Sequence, residues 1–254
     1  MKEKIYTIPL NDAVNADDEC PFCFIERVVE QDLLDFVLGS GSSYMESDVR
    51  EITDRTGFCR MHFKKMFDYG NTLGNGWILK THYKKMNQEL QEQFNKFTPG
   101  KSGFMARMKK PADTTTSSIG AWVREKEKSC YICRQAADTY ERYLDTFFYL
   151  YTKDTAFKEK VLNGKGFCLP HFGDLCDGAQ SRLNDKEKAE FYPAMFQLMK
   201  TNMERLQEDV SWLVEKFDYR NKDADWKNSR DAIQRGMQKL KGGYPADPVY
   251  KQSK

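Results

Sequence analysis

No stretch of this sequence approaches the roughly 18 consecutive apolar residues that a bilayer-crossing helix needs. Residues 1–14 lack the apolar segment of a secretory signal, so the expectation is a cytoplasmic chain without a membrane span. An excess of one charge is missing too. Lys and Arg number 40 against 38 Asp and Glu, a formal net of +2, so no strong nucleic-acid signal arises. Glycine-rich phosphate loops are absent, as are nucleophile-elbow, HExxH and EF-hand patterns, which leaves nucleotide binding and the familiar hydrolytic chemistries without support. No useful length of strand-like alternation appears either. What remains is an amphipathic helical pattern. Apolar residues make up 40% and charged residues 31%, with a mean hydropathy of −0.74: enough apolar content for a core, and enough charge to solvate the outer faces of helices. The 254 residues suffice for one large domain or two of about 100 to 130 residues.

Histidine is scarce as well, at three residues, and its placement beside seven cysteines carries the chemistry. Cys20 and Cys23 form a C-x2-C pair, followed by Gly57-Phe58-Cys59 and His62; Cys130 and Cys133 form a second pair, followed by Gly166-Phe167-Cys168 and His171. The C-x2-C recurs 110 positions on and the C-x2-H 109, which marks an internal duplication. Two thiolates one turn apart, joined by a thiolate and an imidazole from a second knuckle, make a Cys3His set, a usual closed set for tetrahedral structural zinc. The expected ligands are therefore Cys20, Cys23, Cys59 and His62 in the first repeat and Cys130, Cys133, Cys168 and His171 in the second, with one zinc ion per repeat. Gly57 and Gly166 suit a backbone that bends sharply ahead of each second knuckle. A thioredoxin-like redox pair is the weaker reading because no βαβ pattern surrounds it, and disulfides are disfavoured in a reducing compartment. An iron–sulfur cluster remains the alternative cofactor, although the usual cluster signatures pack three cysteines into one short run.

Each C-x2-C leads into a helical pattern. Ile25, Val28, Val29, Phe36 and Val37 recur at helical spacing to about Leu38, where Gly39 to Ser43 ends the run, and the second copy runs from Ile132 to Leu150. Leu34, Val37 and Leu38 align with Leu144, Phe147 and Phe148. Short helices over 47–55 and 155–162 precede the C-x2-H knuckles, and a longer helix follows each. Met199, Met203, Leu206, Val210, Leu213 and Phe217 form a heptad-like seam, expected to pair with the seam of Leu79, Tyr83, Met86, Leu90, Phe94 and Phe97. The terminal segment predicts one more helix, with Trp226, Ile233, Met237 and Leu240 on one face and Gly242-Gly243 ending it.

The fold expected is all-α, with two duplicated halves in a pseudo-twofold relation and their long helices packed together. Residues 1–97 form the first metal-binding repeat, 98–120 a linker, 121–219 the second repeat, and 220–254 a C-terminal helix and tail. In the linker, Lys101, Arg107, Lys109 and Lys110 with Phe104 and Met105 read as a solvated segment. Glu26 and Glu30 read as a solvated helix face, His82 as a satisfied structural histidine, and Cys176 as a buried thiol outside both sites.

The paired knuckles, together with Lys216-Phe217-Asp218-Tyr219-Arg220 and the terminal helix, resemble an uncharacterised family of cytoplasmic proteins from clostridium-like anaerobic bacteria, a domain of unknown function. The resemblance spans most of the chain and implies a helical, metal-binding protein with no established activity. The function expected from the residues is a non-enzymatic zinc-binding module that engages an unidentified protein or small-molecule ligand. A thiol-based redox or metal-responsive switch, or an iron–sulfur protein in electron transfer, is the alternative.

Overall fold

Several of the helices start where a side chain supplies a partner for a first-turn amide. In the computed structural model, which describes residues 5–41, 43–98 and 117–243, α1 spans Thr7–Asn15 and α2 Pro21–Leu38, the latter with proline at its first position. Next come α3 (Ser47–Thr56), α4 (Arg60–Tyr69) and α5 (Thr72–Lys96), where Asn71 caps α5 by accepting from the Gly74 amide at 2.8 Å. The chain continues with α6 (Ser118–Lys128), α7 (Tyr131–Lys153) and α8 (Thr155–Leu162), the last capped by Asp154, which accepts from the Phe157 amide at 3.0 Å. The long helix α10 (Asp185–Glu215) follows α9 (Leu169–Arg182) and opens on a capping box: Asn184 accepts from the Glu187 amide at 3.0 Å, and the Glu187 carboxylate accepts from the Asn184 amide at 2.9 Å. Pro193 lies inside α10, beyond its first turn. A final helix, α11, spans Ala232–Lys241. No strand occurs among the described residues, so the protein is all-α.

The order α2, α3, α4, α5 parallels α7, α8, α9, α10, but packing does not follow the repeats. The chain divides into two compact units. One takes Met1–Glu30 with Ala137–Pro248, and the other contains Gln31–Ala136. The cuts fall inside α2 and α7, so the boundaries expected at 97, 120 and 219 do not coincide with this division. Each unit holds the beginning of one C-x2-C helix and the end of the other. Residues 99–116 and 244–254, which include the linker cations, Phe104, Met105 and the tail, lie outside the described residues.

In the first unit the core is aromatic. Phe22 packs against Tyr140, Phe147, Phe167 and His171, and Phe147 against Phe157. In the second, Leu34, Val37, Leu38, Phe58, Met66, Tyr69, Ile78, Tyr131 and Ile132 form one buried cluster. The long seams behave differently from expectation. On α10, Met199 and Leu206 are buried within a unit where α10 packs against α8, α9 and α11, whereas Tyr83 and Phe94 on α5, and Phe97 just past its end, are exposed. The seam periodicity marks a helix but does not by itself supply a partner.

Candidate metal centres

All eight residues singled out by spacing fall into two groups able to hold a metal ion, but the pairing crosses the repeats. Cys20 and Cys23 meet Cys168 and His171; Cys130 and Cys133 meet Cys59 and His62. This corrects the expectation of one self-contained cage per repeat. In each group the four donor atoms lie within 4.8 Å of one another.

The local geometry follows from helix ends. Cys20 and Cys130 directly precede α2 and α7, while Cys59 and Cys168 are the N-cap residues of α4 and α9. Each of these four carbonyls accepts the first i+4 amide of its helix, from Phe24, Arg134, Phe63 and Phe172. Three residues further on, within the first turn, stand Cys23, Cys133, His62 and His171. A cap residue and its i+3 neighbour share one side of a helix start, so each C-x2-C or C-x2-H delivers two donors to one point. Two helix N-termini therefore converge on every group, and their partial positive charge favours thiolates, by about 0.3–1 kcal/mol per terminus at exposed positions. Ahead of α4 and α9, Gly57 and Gly166 take left-handed φ values of +60° and +74°. A Cβ at Gly57 would also lie 2.8 Å from the His82 ring, whose Nδ1 is 2.9 Å from the Asp54 carbonyl oxygen. His82 thus packs beneath the knuckle as a structural residue.

In the first centre, His171 Nδ1 lies 3.3, 3.6 and 3.1 Å from the sulfurs of Cys20, Cys23 and Cys168, and the Cys23 and Cys168 sulfurs are 3.7 Å apart. A tetrahedral ion with metal–sulfur bonds of about 2.3 Å and a metal–nitrogen bond of about 2.0 Å requires edges of about 3.8 Å between sulfurs and about 3.5 Å between sulfur and nitrogen. The observed separations match that shape. All four residues are buried. Burial works against a charged imidazole, yet the three sulfurs and Glu26 outweigh it and push the His171 pKa far above the ordinary histidine range, so this donor set favours a cation in its midst.

In the second centre, His62 Nδ1 lies 3.2 Å from Cys59, 3.2 Å from Cys130 and 3.3 Å from Cys133, and the Cys59 and Cys133 sulfurs are 3.9 Å apart. The Tyr131 amide donates to the Gly57 carbonyl at 2.9 Å, and Ser129 Oγ donates to the Thr56 carbonyl at 2.6 Å, tying the two ligand-bearing segments together. Burial raises the Cys130 thiol, but His62 and the amides of Cys133 and Cys59 bring it down to about 6; Cys133, desolvated and crowded by Cys130, is pushed up to about 12. Thiolates this close resist ionising together without a shared cation.

Residues around the first centre carry roles that the sequence reading missed. Glu26 Oε1 lies 3.1 Å from His171 Nε2, the nitrogen facing away from the sulfurs, and so orients the imidazole. It stands one helical turn beyond Cys23, a spacing that could have revealed it. Lys239, 1% exposed on α11, donates to the carbonyls of Glu19 and Lys165 at 2.6 Å each, fastening the segments that lead into Cys20 and Cys168. Glu19, also buried, binds Lys239 at 3.2 Å, Arg205 at 2.5 Å and Arg235 at 3.3 Å; burial opposes its ionisation, but Arg205 and Lys239 hold its carboxyl below the usual range. Gly242 ends α11 so close over the cage that a Cβ there would sit 3.5 Å from Cys168 Sγ and 3.8 Å from Cys23 Sγ.

This arrangement inverts the expected face of the last helix. Trp226 precedes α11, Ile233, Met237 and Leu240 are exposed, and Gln238 and Lys239 point inward, where the half-buried Asp18 carboxylate, the buried Glu19 carboxylate and the carbonyls of Glu19 and Lys165 require donors. Cys176 is half-buried and belongs to neither group.

Fold and donor sets together define an all-helical protein with two Cys3His groups that can bind metal. The model of a family of unknown function, DUF6062, matches residues 1–247, and the chain belongs to that family. Neither the curated proteins nor the solved structures contain a match. No helix among the described residues is long and apolar enough to cross a membrane.

Proposed function

We propose that this protein is a non-enzymatic zinc-binding module in which two closed Cys3His centres, ligated by Cys20, Cys23, Cys168 and His171 and by Cys59, His62, Cys130 and Cys133, hold a helical scaffold in shape for binding or regulation in the cytoplasm. The observation that carries this reading is the tetrahedral match of three sulfurs and one imidazole nitrogen in each group. Four protein donors complete the coordination, leaving no position for a substrate water and hence no catalytic role for the metal. A cluster distributes its ligands over two or more irons and holds them further apart than one ion does, so donor atoms within 4.8 Å favour a single ion. Zinc suits a set of three soft thiolates and an imidazole. The parallel order of helices supports an origin by duplication.

Protein purified under anaerobic, reducing conditions is expected to carry two zinc ions per chain and no visible absorbance. Bound iron with a shoulder near ~400 nm would replace this reading with the cluster alternative. A second expected outcome concerns Glu26. In Glu26→Gln the carboxylate behind His171 is lost, and metal affinity at that centre should fall about 10- to 100-fold, with the other centre unchanged, as read by competition with a chromogenic chelator.

A further inference from the structure

The two centres differ in what covers them. Cys20, Cys23, Cys168 and His171 are all buried, and Gly242 closes over two of the sulfurs. In the other centre Cys133 is exposed and Cys59 half-buried, so two of its three cysteines reach the protein surface. The exposed cysteine stands in the first turn of α7, its sulfur 3.9 Å from that of Cys59 and with Cys130 in the same group.

We propose that the centre of Cys59, His62, Cys130 and Cys133 is a site of oxidative modification by hydroperoxides, and that the buried centre is the permanent clamp. The proposal rests on the zinc reading above and extends it to the regulation of one centre. The chemistry balances without further reagents. The Cys133 thiolate attacks one peroxide oxygen, the O–O bond breaks, and a sulfenic acid forms with release of hydroxide, or of alkoxide from an organic hydroperoxide. A second thiolate of the group, Cys59 or Cys130, then displaces hydroxide from that sulfur to form a disulfide. Two thiolates have lost two electrons, and the peroxide has accepted them. With two donors consumed, the ion retains one thiolate and His62 and dissociates.

The consequence stays within the second unit. Phe58, Tyr131 and Ile132, neighbours in sequence of three of the ligands, belong to its buried cluster, so loss of the ion loosens the packing directly behind the knuckle. The first unit keeps its ion because Cys20, Cys23, Cys168 and His171 are all buried.

The test uses the full-length, zinc-loaded protein, with metal content measured before oxidation. Hydrogen peroxide is added at a few equivalents, zinc release is followed with a chromogenic chelator, and thiols are mapped by differential alkylation and mass spectrometry. One zinc of the two is expected to leave at least about tenfold faster than the other, with a disulfide that includes Cys133 and with Cys20, Cys23 and Cys168 still reduced; thiol reductant and zinc should restore the starting state. Cys168→Ser, carrying only the ion of the exposed centre, should release it at the fast rate, and Cys176→Ser should behave as the parent protein. Release of both ions at one rate, or a disulfide among Cys20, Cys23 and Cys168, overturns the inference and leaves the zinc reading standing. Protein isolated without metal overturns the zinc reading itself.

Discussion

The double variant Cys20→Ser/Cys59→Ser is expected to purify with no zinc, whereas Cys20→Ser/Cys168→Ser should retain one ion per chain. Each of the first pair disables a different centre, because Cys20 belongs with Cys168 and His171 while Cys59 belongs with Cys130 and Cys133. Both substitutions of the second pair fall in the same centre. Self-contained repeats would reverse the two results, since Cys20 and Cys59 would then share one cage. Single variants cannot tell these arrangements apart, because either predicts the loss of one ion from Cys59→Ser. Replacing one thiolate of a four-ligand set leaves an incomplete sphere, and structural zinc in small peptides is bound with roughly 10–16 kcal/mol, so occupancy of the disabled centre should drop below detection in metal analysis. Retention of one ion by Cys20→Ser/Cys59→Ser would refute the crossed pairing.

Removing both ions should have the largest effect on the fold. Two sites at about 10 kcal/mol each exceed the roughly 5–15 kcal/mol of net stability of an ordinary domain. Without metal, the sulfurs of each centre also repel as they ionise or stay buried and protonated, and the convergent starts of α2 with α9 and of α4 with α7 lose the group that joins them. Protein stripped with a strong chelator under reducing conditions should keep helical far-ultraviolet dichroism in part but lose its cooperative melting transition. Two equivalents of zinc should restore it. Cooperative melting of the stripped protein within a few degrees of the loaded form would mean that the ions decorate a fold that stands without them.

The spacing of the knuckles was readable because it is a local matter. A cap residue and its i+3 neighbour present two donors within one turn whatever the rest of the chain does, and both glycines ahead of the C-x2-H pairs took the left-handed backbone that the bend requires. The limits of α2, α3 and α8 were equally plain from periodicity and stop signals. Which knuckle meets which was not readable. Closing a loop over 145 residues, as between Cys23 and Cys168, instead of 36 to Cys59, adds only two doublings of length, or about 1.2 kcal/mol. That is less than the burial of one large side chain such as Phe22 or Phe167, so nearness in sequence was a poor guide to partnership.

Glu26 shows the boundary between the two kinds of information. Its position one turn beyond Cys23 is written in the sequence, but its partner, His171 Nε2, is brought there only by the crossed pairing. Lys239 shows it again, since a lysine on an amphipathic helix ordinarily faces water and here faces inward to the carbonyls ahead of both knuckles. By itself the sequence determined an all-helical chain and singled out the eight Cys and His residues that gather into two groups able to hold a metal, because helix periodicity and first-turn spacing are fixed by short-range geometry. Only the tertiary structure decided that the donors assemble across the repeats, that one centre is sealed and the other opens to solvent, and which polar groups guard the first. Those depend on long-range packing, where differences of one or two kcal/mol among distant contacts choose the partner.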